Sequence, residues 1–167
     1  MYCLSSFCYR KNMQFIRVHK AILLGLLCMY CFIVVALAEE PRLRVLTYNI
    51  HHGEGMDGRI DYERLAAIIS RLKPDVVALQ EVDRATTRSN GVDQLEKLAS
   101  LTGMHGEFGR SIYYADGEYG LGILSRFPIA WTRVYPLPFR PGLEPRTALA
   151  ALVEADNGLP KFALVGT

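Results

Sequence analysis

Cysteine is missing from most of this chain of 167 residues, because all four cysteines lie before residue 32. A domain built from the later residues therefore has no disulfide framework, no zinc–thiolate site and no thiol nucleophile. Its stability must come from a hydrophobic core. Half of the residues are hydrophobic, which is enough apolar material for the core of one domain.

A strong positive charge is also missing once the first twenty residues are set aside. The formal net charge of the whole chain is +2, but four of the 19 basic residues lie before residue 21 and all 17 acidic residues lie after residue 38. Residues 39–167 therefore carry 15 basic and 17 acidic side chains, a net charge of −2. This charge distribution argues against a basic surface for binding nucleic acid.

Residues 1–38 have the composition of a targeting segment. A basic stretch ends at Lys20, an apolar run follows over residues 21–37, and Ala36-Leu37-Ala38 has the form of a signal peptidase site. We predict a signal peptide at 1–38 and an exported protein that is periplasmic, extracellular or membrane-associated. An uncleaved anchor is the alternative, because about 17 apolar residues are the lower limit for spanning a bilayer.

A β-α-β pattern opens the rest of the chain. Residues 43–50 and 74–83 are typical of strands, and the nearly continuous apolar run of the second predicts burial on both faces. Asp61 is a good N-cap for a helix between them. The apolar stripe of that helix consists of Leu65, Ile68, Ile69 and Leu72. Such strands run parallel and end at the same sheet edge, so we expect Asn49 and Glu81 to be neighbours.

The remaining residues predict one more helix and five strands. The helix is expected at 92–101, with Gly103 as its C-cap. The strands are expected at 108–114, 120–125, 129–135, 147–154 and 162–167. Four prolines between residues 136 and 145 predict a stiff loop over the active edge of the sheet.

Two motifs carry a resemblance to a known family. Leu46-Thr-Tyr-Asn-Ile-His-His-Gly53 and Pro74-Asp-Val-Val-Ala-Leu-Gln-Glu-Val-Asp83 resemble the first two motifs of the endonuclease/exonuclease/phosphatase superfamily of metal-dependent phosphohydrolases. An Ile-Leu-Ser-Arg strand within Glu118–Ile129 extends the resemblance. The resemblance implies an α/β fold, namely the first half of a four-layer α/β sandwich with two packed sheets and outer helices.

The chemistry of these residues, together with the resemblance, predicts a metal site and three catalytic roles, with His51 as a ligand that departs from the family pattern. Phosphoester hydrolysis needs a cation that neutralises developing charge and activates a water. Mg²⁺, with Mn²⁺ as the alternative, would be held by Glu81, Asn49 and His51, and Asn49 would also orient the phosphate or the water. Tyr119 and Arg146 would lie near the phosphate. The alternative for these two is an ordinary tyrosine and an ordinary arginine at strand ends.

The histidine pair departs from the family pattern. Many nucleases of the superfamily have an acid where this chain has His51. His51 and His52 are adjacent, and on an extended backbone their side chains would point in opposite directions. We therefore expect at most one of the two imidazoles to reach the site.

The resemblance covers residues 43–167, which correspond to about the first half of a catalytic domain of the family. The general-base histidine and the Asp-x-Asn motif of the family are absent from this sequence. We therefore expect residues 39–167 to be a partial domain, truncated at the C-terminus, inactive alone and in need of the missing C-terminal half.

Taken together, these features predict an exported Mg²⁺-dependent phosphoesterase that hydrolyses a phosphodiester or phosphomonoester with a metal-activated water. Export and the slightly acidic composition favour a lipid headgroup or a small phosphoester over nucleic acid, with membrane association as a further expectation. The alternative function is a non-catalytic binding module, or a decayed module, of the same fold.

Overall fold

The computed structural model describes residues 41–156 and 158–167, together with Leu23, Gly25, Leu26 and Met29. The chain divides into two units, residues 1–40 and residues 41–167. The four described residues of the first unit are helical, and the rest of the predicted signal peptide lies outside the described residues. Among the described residues, no helix has both the length and the apolar composition needed to cross a bilayer.

Four strands of the second unit form the first sheet. They are β1 (Val45–Asn49), β2 (Val76–Arg84), β3 (His105–Tyr114) and β4 (Gly117–Ser125), in the order β1-β2-β4-β3. β1 and β2 are parallel, and the other two pairings are antiparallel. The predicted β-α-β unit is therefore confirmed, with strand ends that differ from the predicted ones by a few residues.

The second sheet contains the three remaining strands. They are β5 (Ile129–Pro136), β6 (Thr147–Val153) and β7 (Phe162–Gly166), all antiparallel and in chain order. Each lies within a residue of its predicted bounds. The proline-rich segment that connects β5 to β6 is irregular, as four closely spaced prolines require.

Two helices pack on the first sheet, and both begin at an aspartate. α1 (Tyr62–Leu72) begins after Asp61, whose side chain accepts a hydrogen bond from the backbone N–H of Arg64 at 2.8 Å. α2 (Gln94–Thr102) begins after Asp93 instead of at the predicted residue 92, because the Asp93 carboxylate provides the N-cap. Gly103 ends α2 in the left-handed conformation, as predicted.

The core lies on both faces of the first sheet. Leu65 and Ile69 of α1 and Leu98 of α2 are buried against one face. On the other face, Leu121 and Ile123 of β4 pack against Leu149 and Ala151 of β6. The described residues thus form three layers, which confirms the α/β class. A second helical layer, the fourth of the predicted sandwich, is not among the described residues.

β2 contains a bulge that the sequence pattern did not predict. Its first four residues, 76–79, are buried as expected for a strand covered on both faces. The pairing with β4 then shifts between Leu79 and Val82, so that Gln80 and Glu81 together oppose one residue of β4. Glu81 adopts a left-handed backbone conformation with φ 58°. Glu81 therefore lies at a bulge inside β2, and the strand continues to Arg84.

A second irregularity, in β3, generates a prediction about Gly120 of β4. A Cβ atom at Gly120 would lie 2.1 Å from the carbonyl oxygen of Gly109 on β3, because the pairing of β3 shifts at this position. Relieving that clash requires a backbone shift. We therefore expect Gly120→Ala to lower the free energy of unfolding by about 1–3 kcal/mol, measured by urea titration.

Gly166→Ala provides the control for this substitution. A Cβ atom at Gly166 would meet only the side chain of Ala78, at 3.3 Å, so a smaller loss is expected. Equal losses in the two variants would contradict the proposed backbone contact.

Candidate functional site

A cleft of about 210 Å³ opens where β1 ends and β2 bulges. Side chains from several elements line it, namely His51, His52, Glu81, Arg88, Ile112, Tyr114, Tyr119 and Glu144. Three of the residues predicted from the sequence, His51, Glu81 and Tyr119, are among them. Asn49 adjoins the cleft through its contact with Glu81.

Asn49 connects the ends of the two parallel strands. Its Nδ2 donates a hydrogen bond to Oε1 of Glu81 at 2.7 Å, and its Oδ1 accepts one from the backbone N–H of His51 at 2.9 Å. The expectation that Asn49 and Glu81 are neighbours is thereby confirmed. The carboxamide oxygen of Asn49 retains a second lone pair, because a carbonyl oxygen can accept two hydrogen bonds.

The two histidines lie on a tight turn, and the expectation that at most one reaches the site is wrong. His51, His52 and Gly53 form a 3-10 turn with φ values of 47°, 43° and 84°. Because this backbone is left-handed instead of extended, the neighbouring side chains do not alternate. The two imidazole rings are 4.4 Å apart between centroids, and both line the cleft.

Gln94, which was not predicted from the sequence, holds the His51–Gly53 turn by a hydrogen bond. Its side chain is fully buried at the start of α2. Its Nε2 donates to the carbonyl oxygen of His52 at 2.7 Å and to the hydroxyl of Tyr62 at 3.3 Å, while its Oε1 accepts from the backbone N–H of Asp83 at 2.9 Å. Gln94 thus joins the histidine turn, α1, α2 and β2. Its only signal in the sequence is a polar residue next to an N-cap.

Arg88, also missed, lines the cleft and is held by the buried Asp83, likewise missed. Asp83 is fully buried, and Nε and Nη2 of Arg88 donate to its two carboxylate oxygens at 2.7 and 2.8 Å. The hydroxyl of Thr86 donates to the same carboxylate at 2.7 Å. The hydrogen bonds to Asp83 raise the pKa of Arg88, so the guanidinium remains charged. It lies 4.6 Å from the ring centroid of Tyr114 and 5.6 Å from that of Tyr119.

Tyr119 stands in β4 opposite Asp83 and keeps its proton at neutral pH. Burial raises the pKa of its hydroxyl above the ordinary value of 10.0, and the negative charges of Glu81 and Glu144 raise it further. The hydroxyl is therefore a hydrogen-bond donor facing the same cleft as Glu81.

Arg146 lies beside the cleft instead of in its wall. Its Nη1 is 3.3 Å from Oε1 of Glu144, and its side chain is exposed. Arg146 lines a neighbouring groove with Pro138, Phe139, Arg140, Leu143 and Glu144. The loop predicted to cover the active edge therefore borders the cleft through Glu144. The third histidine after residue 40, His105, pairs with Ser125 at the far end of β4 from Tyr119.

The cleft has the donor set of a metal site on one side. One ligand atom from each of His51, His52 and Glu81 lies within 4.8 Å of the others. Imidazole nitrogens and a carboxylate oxygen bind divalent cations of the first transition row, and the carboxylate also suits Mg²⁺. The other side presents the Arg88 guanidinium and the Tyr119 hydroxyl. The arrangement is suited to a bound cation together with an anionic ligand.

Comparisons with known proteins bear on the family and the fold. A family model described as the Endonuclease/Exonuclease/phosphatase family matches residues 46–163. Among solved structures, the chain is similar to an endonuclease/exonuclease/phosphatase from Beutenbergia cavernae DSM 12333, with 29% identity and a TM-score of 0.63. That match covers 74% of this chain and 37% of the other chain. A comparison with curated proteins finds no match.

Two further solved structures share the fold at lower identity. The human Nocturnin catalytic domain with bound sulfate anion is 20% identical, with a TM-score of 0.54 and coverage of 77% of this chain and 51% of that one. The mannosyl-6-phosphatase Bt3783 from Bacteroides thetaiotaomicron VPI-5482 is 17% identical, with a TM-score of 0.53 and coverage of 74% and 50%. The chain thus spans about half, or less, of the length of these structures.

The buried contacts of Gln94 predict a large effect of removing its amide. In Gln94→Leu, the backbone N–H of Asp83 and the carbonyl of His52 lose their partner in a buried environment. We expect the free energy of unfolding to fall by about 1–3 kcal/mol for these unsatisfied groups, measured by urea titration. Gln80→Leu is the matched control, because its hydrogen bond to Thr47 is exposed. A loss in the control as large as in Gln94→Leu would refute this role.

The environment of Tyr119 predicts a titration above the ordinary range. We expect its hydroxyl to ionise above pH 10.0, and Glu81→Gln to shift that ionisation downward, because the Glu81 charge contributes to the raised pKa. Ultraviolet difference spectra against Tyr119→Phe measure both. A raised pKa means that the folded protein binds the Tyr119 proton more tightly than the unfolded chain does. This linkage stabilises the fold fully below the ordinary pKa, and the stabilisation is lost as the pH rises through the raised pKa of the folded state. An ionisation below pH 10.0 would contradict the described environment.

Proposed function

Since the chain belongs to the endonuclease/exonuclease/phosphatase family, we propose that it contributes the cleft described above to a divalent-cation-dependent phosphoesterase. The fold is that of phosphohydrolases of this family. The single observation that carries the proposal is that the Asn49–Glu81 pair and His51 share one cleft with Tyr119 and Arg88. Cation ligands and groups suited to an anion therefore line the same cleft.

The proposed cation is Mg²⁺, with Mn²⁺ as the alternative, held by Glu81, Asn49 and His51. The donor set fits, because it offers a carboxylate oxygen, the free lone pair of a carboxamide oxygen and an imidazole nitrogen. When bound, such a cation neutralises charge on a phosphate oxygen and makes a water more acidic. Asn49 holds the Glu81 carboxylate in position through the 2.7 Å hydrogen bond.

The opposite wall would orient the phosphoester. Tyr119 is a protonated donor, so its hydroxyl would donate to a phosphate oxygen. Arg88 already uses Nε and Nη2 on Asp83, so its guanidinium is held in place with donor capacity remaining on Nη1. A catalytic role for Arg146 requires its side chain to leave Glu144 and turn toward the cleft. We retain that role as a proposal.

We propose a lipid headgroup or another small phosphoester as the substrate. The support is the size of the cleft, about 210 Å³, and the absence of excess positive charge in residues 39–167. A fold relative named as a mannosyl-6-phosphatase is consistent with a small phosphoester. Export and membrane association are part of the proposal and rest on the basic and apolar composition of residues 1–38.

A four-layer sandwich is the proposed complete architecture. Apolar side chains on the second sheet are exposed, for example Trp131 at 46% and Val165 at 56%. Exposed apolar surface on a sheet favours cover by a further layer. A non-catalytic binding module of the same fold remains the second candidate function. It is favoured by the absence, within the described residues, of a histidine paired with an aspartate that would serve as general base.

Glu81→Gln tests the proposed function. The substitution keeps the shape of the side chain but removes the charge that would hold the cation. Because the chain spans about half, or less, of the length of its relatives, the assay uses the domain extended to their length. In that protein we expect hydrolysis of a chromogenic phosphodiester or phosphomonoester in Mg²⁺ to fall by about 100-fold or more. Chelation of the metal should abolish turnover of the unmodified protein.

Glu63→Gln is the matched control. Glu63 is 68% exposed on α1, where its partner is Lys97, and its substitution should leave turnover unchanged. Thermal melting of each variant separates loss of activity from loss of fold. Full turnover by a folded Glu81→Gln protein would exclude the proposed site, and no turnover with any cation by the domain extended to the length of its relatives would favour the binding module.

A further inference from the structure

We propose that His51, His52 and Glu81 form a site of two histidines and one carboxylate that selects a first-row transition-metal dication, such as Mn²⁺ or Zn²⁺, over Mg²⁺. The inference rests on the proposed function for the location of the cation and deepens it. It adds His52 as a ligand and replaces the oxygen-rich coordination expected for Mg²⁺ with two nitrogen donors.

The three ligand atoms are close enough to bind one ion. They lie within 4.8 Å of one another in the absence of any ion. Ligand atoms bound at about 2.1 Å to one tetrahedral ion are separated by about 3.4 Å. Closing the site therefore requires a movement of roughly one ångström, which side-chain rotation provides without a change in the backbone.

Glu54 contacts both imidazoles. Nε2 of His52 lies 3.2 Å from Oε2 of Glu54, and Nδ1 of His51 lies 3.4 Å from the backbone carbonyl oxygen of Glu54. Metal-bound histidines characteristically donate their other ring N–H to a carboxylate or a backbone carbonyl. Both contacts have this form, and they leave Nε2 of His51 and Nδ1 of His52 as the nitrogens with a free lone pair.

The side-chain amides of Asn49 and Gln94 support the three ligand residues. Asn49 holds the backbone of His51 and the carboxylate of Glu81, and Gln94 holds the carbonyl of His52. Each ligand residue is therefore held by a hydrogen bond that does not involve Glu54. A site held in this way needs little reorganisation when an ion binds.

The chemistry of the donor atoms decides which cation suits the site. Two neutral imidazoles and one carboxylate give a set with a single negative charge. Mg²⁺ prefers oxygen ligands and keeps several waters, whereas imidazole nitrogen suits Zn²⁺ and the other later first-row dications, and affinity for such a site rises from Mn²⁺ to Co²⁺. Two histidines and one carboxylate are also a known arrangement for divalent transition metals with open coordination positions. The donor set thus favours a transition metal over Mg²⁺.

Co²⁺ serves as the spectroscopic probe for this inference. The purified protein, with its four cysteines alkylated so that they cannot bind metal, is titrated with Co²⁺ and followed by the visible absorbance of the ion. We expect saturable binding at one site that persists in a large excess of Mg²⁺. Competition with Mn²⁺ and Zn²⁺ should displace the Co²⁺ signal.

Three substitutions assign the ligands. His52→Ala removes a ligand. Loss of a residue that only orients a ligand weakens metal binding by roughly 10–100-fold, so we expect His52→Ala to weaken Co²⁺ binding by at least that much. Glu54→Ala removes the carboxylate that orients His52 and should weaken binding by about 10–100-fold. His105→Ala is the control, because His105 lies at the far end of the sheet and should leave binding unchanged.

The outcomes separate this inference from the proposed function. Co²⁺ binding that is unchanged in His52→Ala, or that Mg²⁺ displaces at equal concentration, would overturn the inference. If Mg²⁺-supported hydrolysis is then present and also unaffected by His52→Ala, the proposed function stands without it. If Co²⁺ binds through His52 but the domain extended to the length of its relatives hydrolyses no phosphoester with any cation, the metal site stands and the proposed function fails.

Discussion

The rest of the structure depends on one constraint. The carboxylate of Glu81 must reach solvent although β2, the strand that carries it, is buried on both faces. Residues 76–79 of β2 are covered by helices on one side and by the second sheet on the other. A charged side chain that continued this pattern would lose its hydration at a cost of several kcal/mol. The bulge at Gln80–Glu81 avoids this cost, because it redirects the Glu81 side chain to the cleft. The left-handed backbone of Glu81 is the local cost of that arrangement.

Beyond the bulge, β2 returns to the core with a second acid, and this acid organises both walls of the cleft. Asp83 is fully buried, so its charge must be paired. Its carboxylate holds Arg88, and its backbone N–H is bound by Gln94, which in turn holds the carbonyl of His52. Removing one partner of a buried ion pair costs about 3–5 kcal/mol. The position of the functional wall is therefore coupled to the stability of the domain, and neither can change independently of the other.

The sequence was sufficient for those features that depend on local pattern and topology. The apolar run before Glu81, the N-cap at Asp61 and the C-cap at Gly103 predicted elements that the structure contains. Parallel pairing then brought Asn49 to Glu81. The histidine turn was not predictable in the same way, because two non-glycine residues in the left-handed region run against the intrinsic preference of the backbone. They are held there by contacts such as that of Gln94 with His52, which are distant in sequence.

The charges of the two walls are the physical reason for proposing a cation in the cleft. Glu81 carries the negative charge of the first wall, and His51 and His52 do not offset it while they are neutral. Arg88 stands opposite, but its charge is largely balanced by Asp83, with which it forms two short hydrogen bonds. A phosphoester entering the cleft would therefore meet an uncompensated carboxylate. A divalent cation held between the imidazoles and Glu81 would reverse the sign of that wall. The same residues would disfavour a phosphate without a cation and favour it once a cation is bound.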